Sequence, residues 1–167
     1  MPTFEPIKGR YISMVVAGDT MRIYVEEAGS GIPLVCLHTA GSDSRQFRHL
    51  MTDPSITDHY RVLAFDMPWH GKSNPPIGWR EIEYKLTTGL YKETVVAFCQ
   101  AMELNKPTIM GCSMGGRIVL HLALEYPDDY RAVIALEGAD RLKPYYDTEW
   151  LHRPEVNAGE DAAGNVT

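Results

Sequence analysis

Residues 107–126 read PTIMGCSMGGRIVLHLALEY and decide the fold. The stretch opens with a short apolar run typical of a buried strand, and an amphipathic run typical of a helix follows the serine. Between the two runs, Gly111 to Gly115 match the pattern Gly-x-Ser-x-Gly. This succession predicts a tight turn that holds the Ser113 hydroxyl above the carboxyl end of a sheet, beside the free N–H groups of a helix. Ser113 is therefore the candidate nucleophile, and a plain turn with a helix-capping serine is the alternative.

Strand and helix patterns alternate along the rest of the chain. Apolar runs predict strands at 11–16, 22–26, 32–37, 61–65, 107–110 and 131–136. Helical spacing predicts helices at about 42–51, 87–104 and 114–126, and the Gly- and Pro-rich residues 68–79 predict a loop. After an opening hairpin, this order is a run of βα units. It predicts the α/β class, with a mostly parallel, doubly wound sheet and helices on both faces.

Composition and charge exclude several classes of partner. The 167 residues are 44% hydrophobic, with 16 Lys and Arg against 22 Asp and Glu, for a net charge of -6. An acidic chain without a basic run favours neither nucleic acid nor an anionic membrane surface, and no apolar stretch is long enough to span a bilayer. The N-terminus does not resemble a secretory leader, so we expect a cytoplasmic protein.

The cysteines and the glycines give no indication of a metal or cofactor. Cys36, Cys99 and Cys112 lack the paired spacing of zinc or redox sites, and we expect buried, reduced thiols. Neither a phosphate-binding Gly-x-x-x-x-Gly-Lys-Ser/Thr loop nor a Gly-x-Gly-x-x-Gly turn opens a helix. We expect chemistry that needs no metal ion and no cofactor.

Two further segments, together with the serine turn, resemble the α/β-hydrolase family. Residues 38–41 (HTAG) are similar to the family's His-Gly-x-Gly oxyanion loop. Residues 66–73 (DMPWHGKS) are similar to its Asp-x-x-Gly-x-Gly-x-Ser turn. The resemblance covers about residues 11–140, and the three motifs follow in the family's order. It implies a serine hydrolase with the fold predicted above.

Carried over to this chain, the resemblance implies that the backbone N–H groups of Ala40 and Met114 form the oxyanion hole. Two positions depart from the family pattern. Thr39 stands where the family usually has Gly, which bears on how closely the backbone approaches the oxyanion. Trp69 also replaces a usual Gly, and its ring either lines the substrate pocket or packs on a surface loop.

A serine hydroxyl needs a general base at neutral pH. In the family, a histidine after the eighth strand is the base, and the acid that orients it usually follows the seventh. Only six strands are predicted here, so we expect the base to come from elsewhere. His152 is the one mobile candidate within the chain. Glu137, at the end of the sixth strand, is either the orienting acid or a pocket or loop-capping carboxylate.

These considerations divide the chain into two regions. We expect residues 1–140 to form the N-terminal part of a hydrolase core. Residues 141–167, which include Tyr145, Tyr146 and Trp150, are expected to begin a lid and to end flexibly. A sheet that stops at its sixth strand exposes an apolar edge. We therefore expect a second polypeptide or a C-terminal half to complete the fold, and the chain alone not to be a self-sufficient monomer.

The resemblance implies acyl transfer to water on a small-molecule substrate. The related carbon–carbon bond hydrolases often carry Asn before the serine, and Cys112 at that position favours an ester or a lactone. A carbon–carbon bond hydrolase on the same fold is the first alternative. A non-catalytic, hydrolase-like binding protein is the second.

Overall fold

The computed structural model describes residues 3–82 and 85–138. Its strands form one six-stranded sheet in the order β1-β2-β4-β3-β5-β6. They are β1 Lys8–Val16, β2 Asp19–Ala28, β3 Ile32–Leu37, β4 Tyr60–Phe65, β5 Thr108–Cys112 and β6 Ala132–Leu136. The β1–β2 hairpin is antiparallel and joins β4 in antiparallel register, whereas β3 to β6 run parallel. The predicted mixed, mostly parallel sheet is confirmed.

The helices agree with the predicted pattern in two places and differ in one. They are α1 Arg48–Thr52, α2 Pro54–Thr57, α3 Thr88–Ala101 and α4 Met114–Glu125, with short 3-10 helices at Ser44–Phe47 and Trp79–Glu81. The helix predicted at about 42–51 lies at the expected place, but its first part, Ser44–Phe47, is a 3-10 helix, and the short α2 that follows was not predicted. Asp53, which precedes a proline and so disfavours helical backbone, is extended and separates α1 from α2.

Hydrophobic cores lie on both faces of the sheet, as a doubly wound fold requires. On one face, Phe65 of β4 stacks on Phe98 of α3, with ring centroids 4.4 Å apart. On the other face, Met51 of α1 packs with Val62 in a smaller cluster. The central parallel strands β3, β4 and β5 are therefore largely buried, which explains why they are almost continuously apolar.

The three cysteines are free thiols. Cys36 and Cys99 are buried as predicted, and burial raises the pKa of Cys99 to about 12. Cys112, next to the serine turn, is half-buried, which differs from the expectation.

β6 is an edge strand with exposed apolar side chains. Ile134 is 41% and Leu136 is 44% exposed, and Leu124 of the neighbouring α4 is 76% exposed. The residues assigned to a lid, 141–167, lie outside the described residues, as do Tyr145, Tyr146, Trp150 and His152. Over the described ranges, every helix is too short or too polar to cross a bilayer.

The aromatic stack provides a test of the larger core. Phe98→Ala should lower the free energy of unfolding by about 3–5 kcal/mol, because it removes a fully buried ring and leaves a cavity beneath Phe65. Urea unfolding followed by circular dichroism measures the change. Ile77→Ala is the control, because Ile77 is 95% exposed and its loss should change stability by less than about 0.5 kcal/mol. Equal effects of the two substitutions would contradict the described core.

Candidate active site

The turn between β5 and α4 places Ser113 in a backbone conformation that residues other than glycine rarely adopt. Its φ is 52° and its ψ is -109°, outside the ordinary helical and extended regions. Its N–H donates to the carbonyl of Leu136 at 2.8 Å, and its own carbonyl accepts from the Arg117 N–H at 2.9 Å. The hydroxyl makes no capping hydrogen bond to α4. The side chain of Ser113 is therefore held by its backbone and stays available for chemistry.

The glycines around Ser113 are needed because backbone segments pass at very short range. A Cβ atom on Gly111 would lie 2.3 Å from the carbonyl carbon of Gly115. A Cβ on Gly115 would lie 2.4 Å from the oxygen of Leu37 in β3. A Cβ on Gly116 would lie 2.6 Å from the oxygen of Leu136 in β6. Each obstacle is backbone, which cannot rotate away as a side chain can.

A cavity of about 300 Å³ opens at this turn. Its lining residues are Ala40, Leu86, Thr87, Thr88, Tyr91, Ser113, Met114, Arg117, Ile118 and Glu137. The structure thus brings Ser113 together with three other predicted site residues, Ala40, Met114 and Glu137.

Thr39 and Trp69 are not among the residues that line this cavity. The Thr39 N–H donates to Oε1 of Gln46 at 2.9 Å, so that amide already has an acceptor. Trp69 lies in the turn after β4 with a φ of 62°. This left-handed conformation accounts for the glycine that is usual at the position. A contact of either side chain with substrate stays a prediction.

The two amides assigned to the oxyanion hole have no acceptor among the described residues. Within the described residues, neither the Ala40 N–H nor the Met114 N–H donates a hydrogen bond. Met114 is the first residue of α4, where helical N–H groups have no intrahelical partner. Both residues line the cavity of Ser113, so both amides can serve a developing negative charge there.

The loop that carries Ala40 is fastened to the turn after β4 by one buried carboxylate. Oδ1 of Asp66 accepts from the N–H of Ser44 at 2.7 Å, and its Oδ2 accepts from the N–H of Lys72 at 2.7 Å. From the other side, the Tyr91 hydroxyl donates to the carbonyl of His38 at 3.1 Å. The position of Ala40 is thus set by residues of β4 and α3.

His38 is a structural histidine, not the missing base. Its Nε2 accepts from the Met67 N–H at 3.1 Å, so the ring proton lies on Nδ1, which donates to the Thr39 carbonyl at 2.8 Å. Burial lowers the pKa of His38 below its ordinary value, and the bond to the Thr39 carbonyl opposes this only in part. The ring is therefore neutral at pH 7 and has no nitrogen left for proton transfer.

Glu137 directly follows β6 and lines the cavity. Its φ of 50° is, like that of Ser113, in the left-handed region. Backbone strain of this kind concentrates at functional sites. The hydrogen bond from the Ser113 N–H to the carbonyl of Leu136 brings Ser113 close to Glu137, the next residue along the chain. No histidine lies among the described lining residues, and His152 is outside the described part of the chain.

Comparison with known proteins agrees with the family resemblance of the sequence motifs. The model of the alpha/beta hydrolase fold family matches residues 32–161. The chain belongs to the alpha/beta hydrolase fold family. Among its relatives, the 2-(acetamidomethylene)succinate hydrolase of Mesorhizobium japonicum is 30% identical over 151 residues, which are 89% of this chain and 50% of that protein.

Two further alpha/beta hydrolases illustrate the range of the similarity. The 2-hydroxymuconate semialdehyde hydrolase of Pseudomonas sp. is 26% identical over 157 residues, 92% of this chain and 52% of its own. The crystal structure of a haloalkane dehalogenase from Agrobacterium tumefaciens C58 superposes with a TM-score of 0.68 at 26% identity, covering 95% of this chain and 55% of that one. The chain spans about half the length of the curated relatives it matches.

The sequence analysis missed six of the residues that line the cavity, of which Arg117 and Tyr91 carry the polar side-chain groups of most interest. Arg117 lies four residues after Ser113, a spacing that places both on one side of α4 and was a usable signal. Tyr91 belongs to the apolar stripe of α3, where nothing separates it from ordinary core residues. In the described segments, no group of three or more His, Cys, Asp or Glu side chains is arranged to hold a metal ion.

The glycine contacts predict opposite effects of two similar substitutions. Gly115→Ala should destabilise the protein by at least about 2 kcal/mol, because the new Cβ would meet the Leu37 carbonyl at 2.4 Å. Gly89→Ala, in the first turn of α3, meets only Oγ1 of Thr87 at 3.7 Å and should stabilise by about 0.5–1 kcal/mol. Urea midpoints of both variants test this. A neutral Gly115→Ala variant would contradict the described packing.

The buried His38 predicts loss of stability on the acid side of neutrality. Its pKa is lower in the folded protein than in the unfolded chain, so the unfolded chain binds more protons as the pH falls below about 6.5. The free energy of unfolding should therefore decrease between pH 7.5 and 5.5, by at most about 1.4 kcal/mol per pH unit for this group. His38→Gln should flatten this dependence, and His49→Gln, at an exposed position, should leave it unchanged. Identical pH profiles for all three proteins would contradict the assignment.

Proposed function

We propose that this chain carries the nucleophile and the oxyanion hole of a serine hydrolase that cleaves a small-molecule ester or lactone. The observation that carries the proposal is the arrangement at the α4 N-terminus. There, Ser113 has a strained backbone and a hydroxyl that makes no capping hydrogen bond to α4. It shares one cavity with Ala40 and Met114, whose backbone N–H groups have no acceptor among the described residues. The hydroxyl of a capping serine would instead accept a hydrogen bond from an N–H in the first turn of its own helix.

The proposed reaction runs through an acyl-enzyme. Oγ of Ser113 attacks the substrate carbonyl carbon and gives its proton to a base, and the carbonyl oxygen becomes an oxyanion. The N–H groups of Ala40 and Met114 donate to that oxyanion, each contributing about 3–4 kcal/mol of transition-state stabilisation. Collapse of the intermediate breaks the bond to the alcohol, which leaves with the proton. Water then attacks the acyl-enzyme and releases the acid and free Ser113.

Glu137 is proposed as the carboxylate that orients the base. Its place at the end of β6, its strained backbone and its presence in the Ser113 cavity support this role over that of a loop cap. We propose that the base is a histidine from residues that pack beside β6, in a C-terminal half or a second polypeptide. The exposed Ile134 and Leu136 and the half-length match to the relatives support that proposal.

The relatives support a small organic substrate, since two are named as hydrolases of 2-(acetamidomethylene)succinate and of 2-hydroxymuconate semialdehyde. The second of these relatives, which matches 92% of this chain, favours carbon–carbon bond hydrolysis as the second candidate reaction. Both candidates use the same serine and amides, and neither needs a cofactor. Because carbon–carbon bond hydrolases often have Asn at the position of Cys112, an ester or a lactone remains the preferred substrate class.

A fluorophosphonate probe tests the nucleophile. The chain, together with any polypeptide that co-purifies with it, should be labelled at Ser113, and Ser113→Ala should abolish the labelling. Cys112→Ala, at the adjacent half-buried thiol, is the matched control and should still be labelled. Absence of labelling in a protein with native circular dichroism would instead favour a non-catalytic binding protein.

Hydrolysis of a para-nitrophenyl ester by the same assembly tests the role of Glu137. Glu137→Gln should lower kcat by about 10²–10⁴-fold, because a neutral amide neither holds nor stabilises a protonated base. Glu93→Gln, on the exposed side of α3, should leave kcat within twofold. A Glu137→Gln enzyme with full kcat would show that the acid comes from elsewhere.

A further inference from the structure

One side of α4 lies next to α3, since residues of both helices line the cavity and an ion pair joins them farther along. Residues 113, 117, 121 and 125 follow at intervals of four and therefore lie on one side of the helix. At the far end, Oε1 of Glu125 accepts from Nζ of Lys92 in α3 at 2.6 Å. Arg117 thus lies one helical turn beyond Ser113, in the crevice between the two helices, and lines the same cavity.

The guanidinium of Arg117 carries a charge that the described residues do not neutralise. Its Nε is closed off from solvent and has no hydrogen-bond acceptor. No carboxylate of the described residues forms an ion pair with it. By contrast, two other arginines form ion pairs: Arg48 contacts Glu26 at 2.8 Å, and Arg45 contacts Asp43 at 2.7 Å. An arginine that lines a cavity and has no ion-pair partner among the described residues can offer its charge and its remaining N–H groups to an anionic ligand in that cavity.

The rest of the cavity fits a small molecule with one anionic group. Leu86 and Ile118 contribute apolar surface, and Thr87 and Thr88 lie beside them. Glu137, the other charged residue of the described lining, makes no ion pair with Arg117 and is assigned above to the base. The net charge of -6 gives the chain no general attraction for anions, so binding of an anion here depends on the local guanidinium.

We infer that Arg117 binds a free carboxylate of the substrate and so selects esters or lactones that carry one a few bonds from the scissile carbonyl. The planar fork of N–H groups on a guanidinium matches the two oxygens of a carboxylate, which gives both affinity and orientation. The position of the scissile carbonyl rests on the proposed function, whereas the binding of a carboxylate by Arg117 does not.

A matched pair of esters tests the selectivity in the native assembly. Mono-para-nitrophenyl glutarate and para-nitrophenyl pentanoate have five-carbon acyl chains that end in a carboxylate and a methyl group, respectively. The wild-type ratio of their kcat/KM values should favour the glutarate by more than about tenfold, and Arg117→Met should lower that ratio by about 10–100-fold. Arg117→Lys keeps the charge but loses the fork of N–H groups, so its kcat/KM ratio should lie between those of the wild type and Arg117→Met. Arg131→Met, at an exposed position before β6, is the control and should keep the wild-type ratio.

Binding of glutarate separates this inference from the proposed function. Calorimetry should detect glutarate binding to the wild type and to Ser113→Ala, and at least tenfold weaker binding to Arg117→Met. If neither ester is cleaved but glutarate binds in this way, the hydrolase proposal fails and the carboxylate site stands. A wild-type ratio near one, an equal loss for both esters in Arg117→Met, or glutarate binding that Arg117→Met leaves unchanged would each overturn the inference.

Discussion

The close approach of α4 to the carboxyl ends of three parallel strands is the constraint on which the site depends. At Gly111, Gly115 and Gly116, a single added carbon would lie within 2.6 Å of backbone atoms. The chain can turn from β5 into α4 in so little space only if the intervening residue accepts a left-handed φ. Ser113 is that residue, and its strain of about 1–3 kcal/mol is sustained by the packing around it. The same contacts place its hydroxyl and the first amide of α4 at one cavity.

The second half of the site is built by polar contacts and not by close packing. Asp66, buried after β4, accepts backbone N–H groups from two loops and thereby fixes the loop that carries Ala40. The neutral His38 and the Tyr91 hydroxyl hold the same loop from the β4 and α3 sides. A serine positioned by glycines therefore shares its cavity with a loop positioned by a carboxylate. This division explains why the two motifs are far apart in sequence and meet only in the folded sheet.

The sequence predicted those features that short-range geometry imposes, and missed those that depend on distant partners. The strand, glycine-flanked serine and helix at 107–126 could be placed because the tight turn leaves a local pattern of glycines around the serine, although Gly115 and Gly116 also make room for the distant strands β3 and β6. The start of α2 was also encoded, by Asp53 as a capping residue and Pro54 as the first helical residue, but four residues are too few to show helical spacing. Tyr91 has an ordinary core position in α3, and only the cavity beside α4 shows that it lies near Ser113, whereas the four-residue spacing from Ser113 already placed Arg117 on the same side of α4. For Trp69, the sequence left open whether the ring lines the pocket or packs on a loop, because the motif fixes the backbone at that position and not the side chain.

The central claim is that Ser113 and two free amides share one reaction centre. A crystal structure of the native assembly after reaction with a fluorophosphonate tests it most directly. The account predicts phosphorus bonded to Oγ of Ser113, and a phosphoryl oxygen about 2.7–3.1 Å from the backbone nitrogens of both Ala40 and Met114. An adduct on another residue, or a phosphoryl oxygen that contacts neither amide, would contradict it.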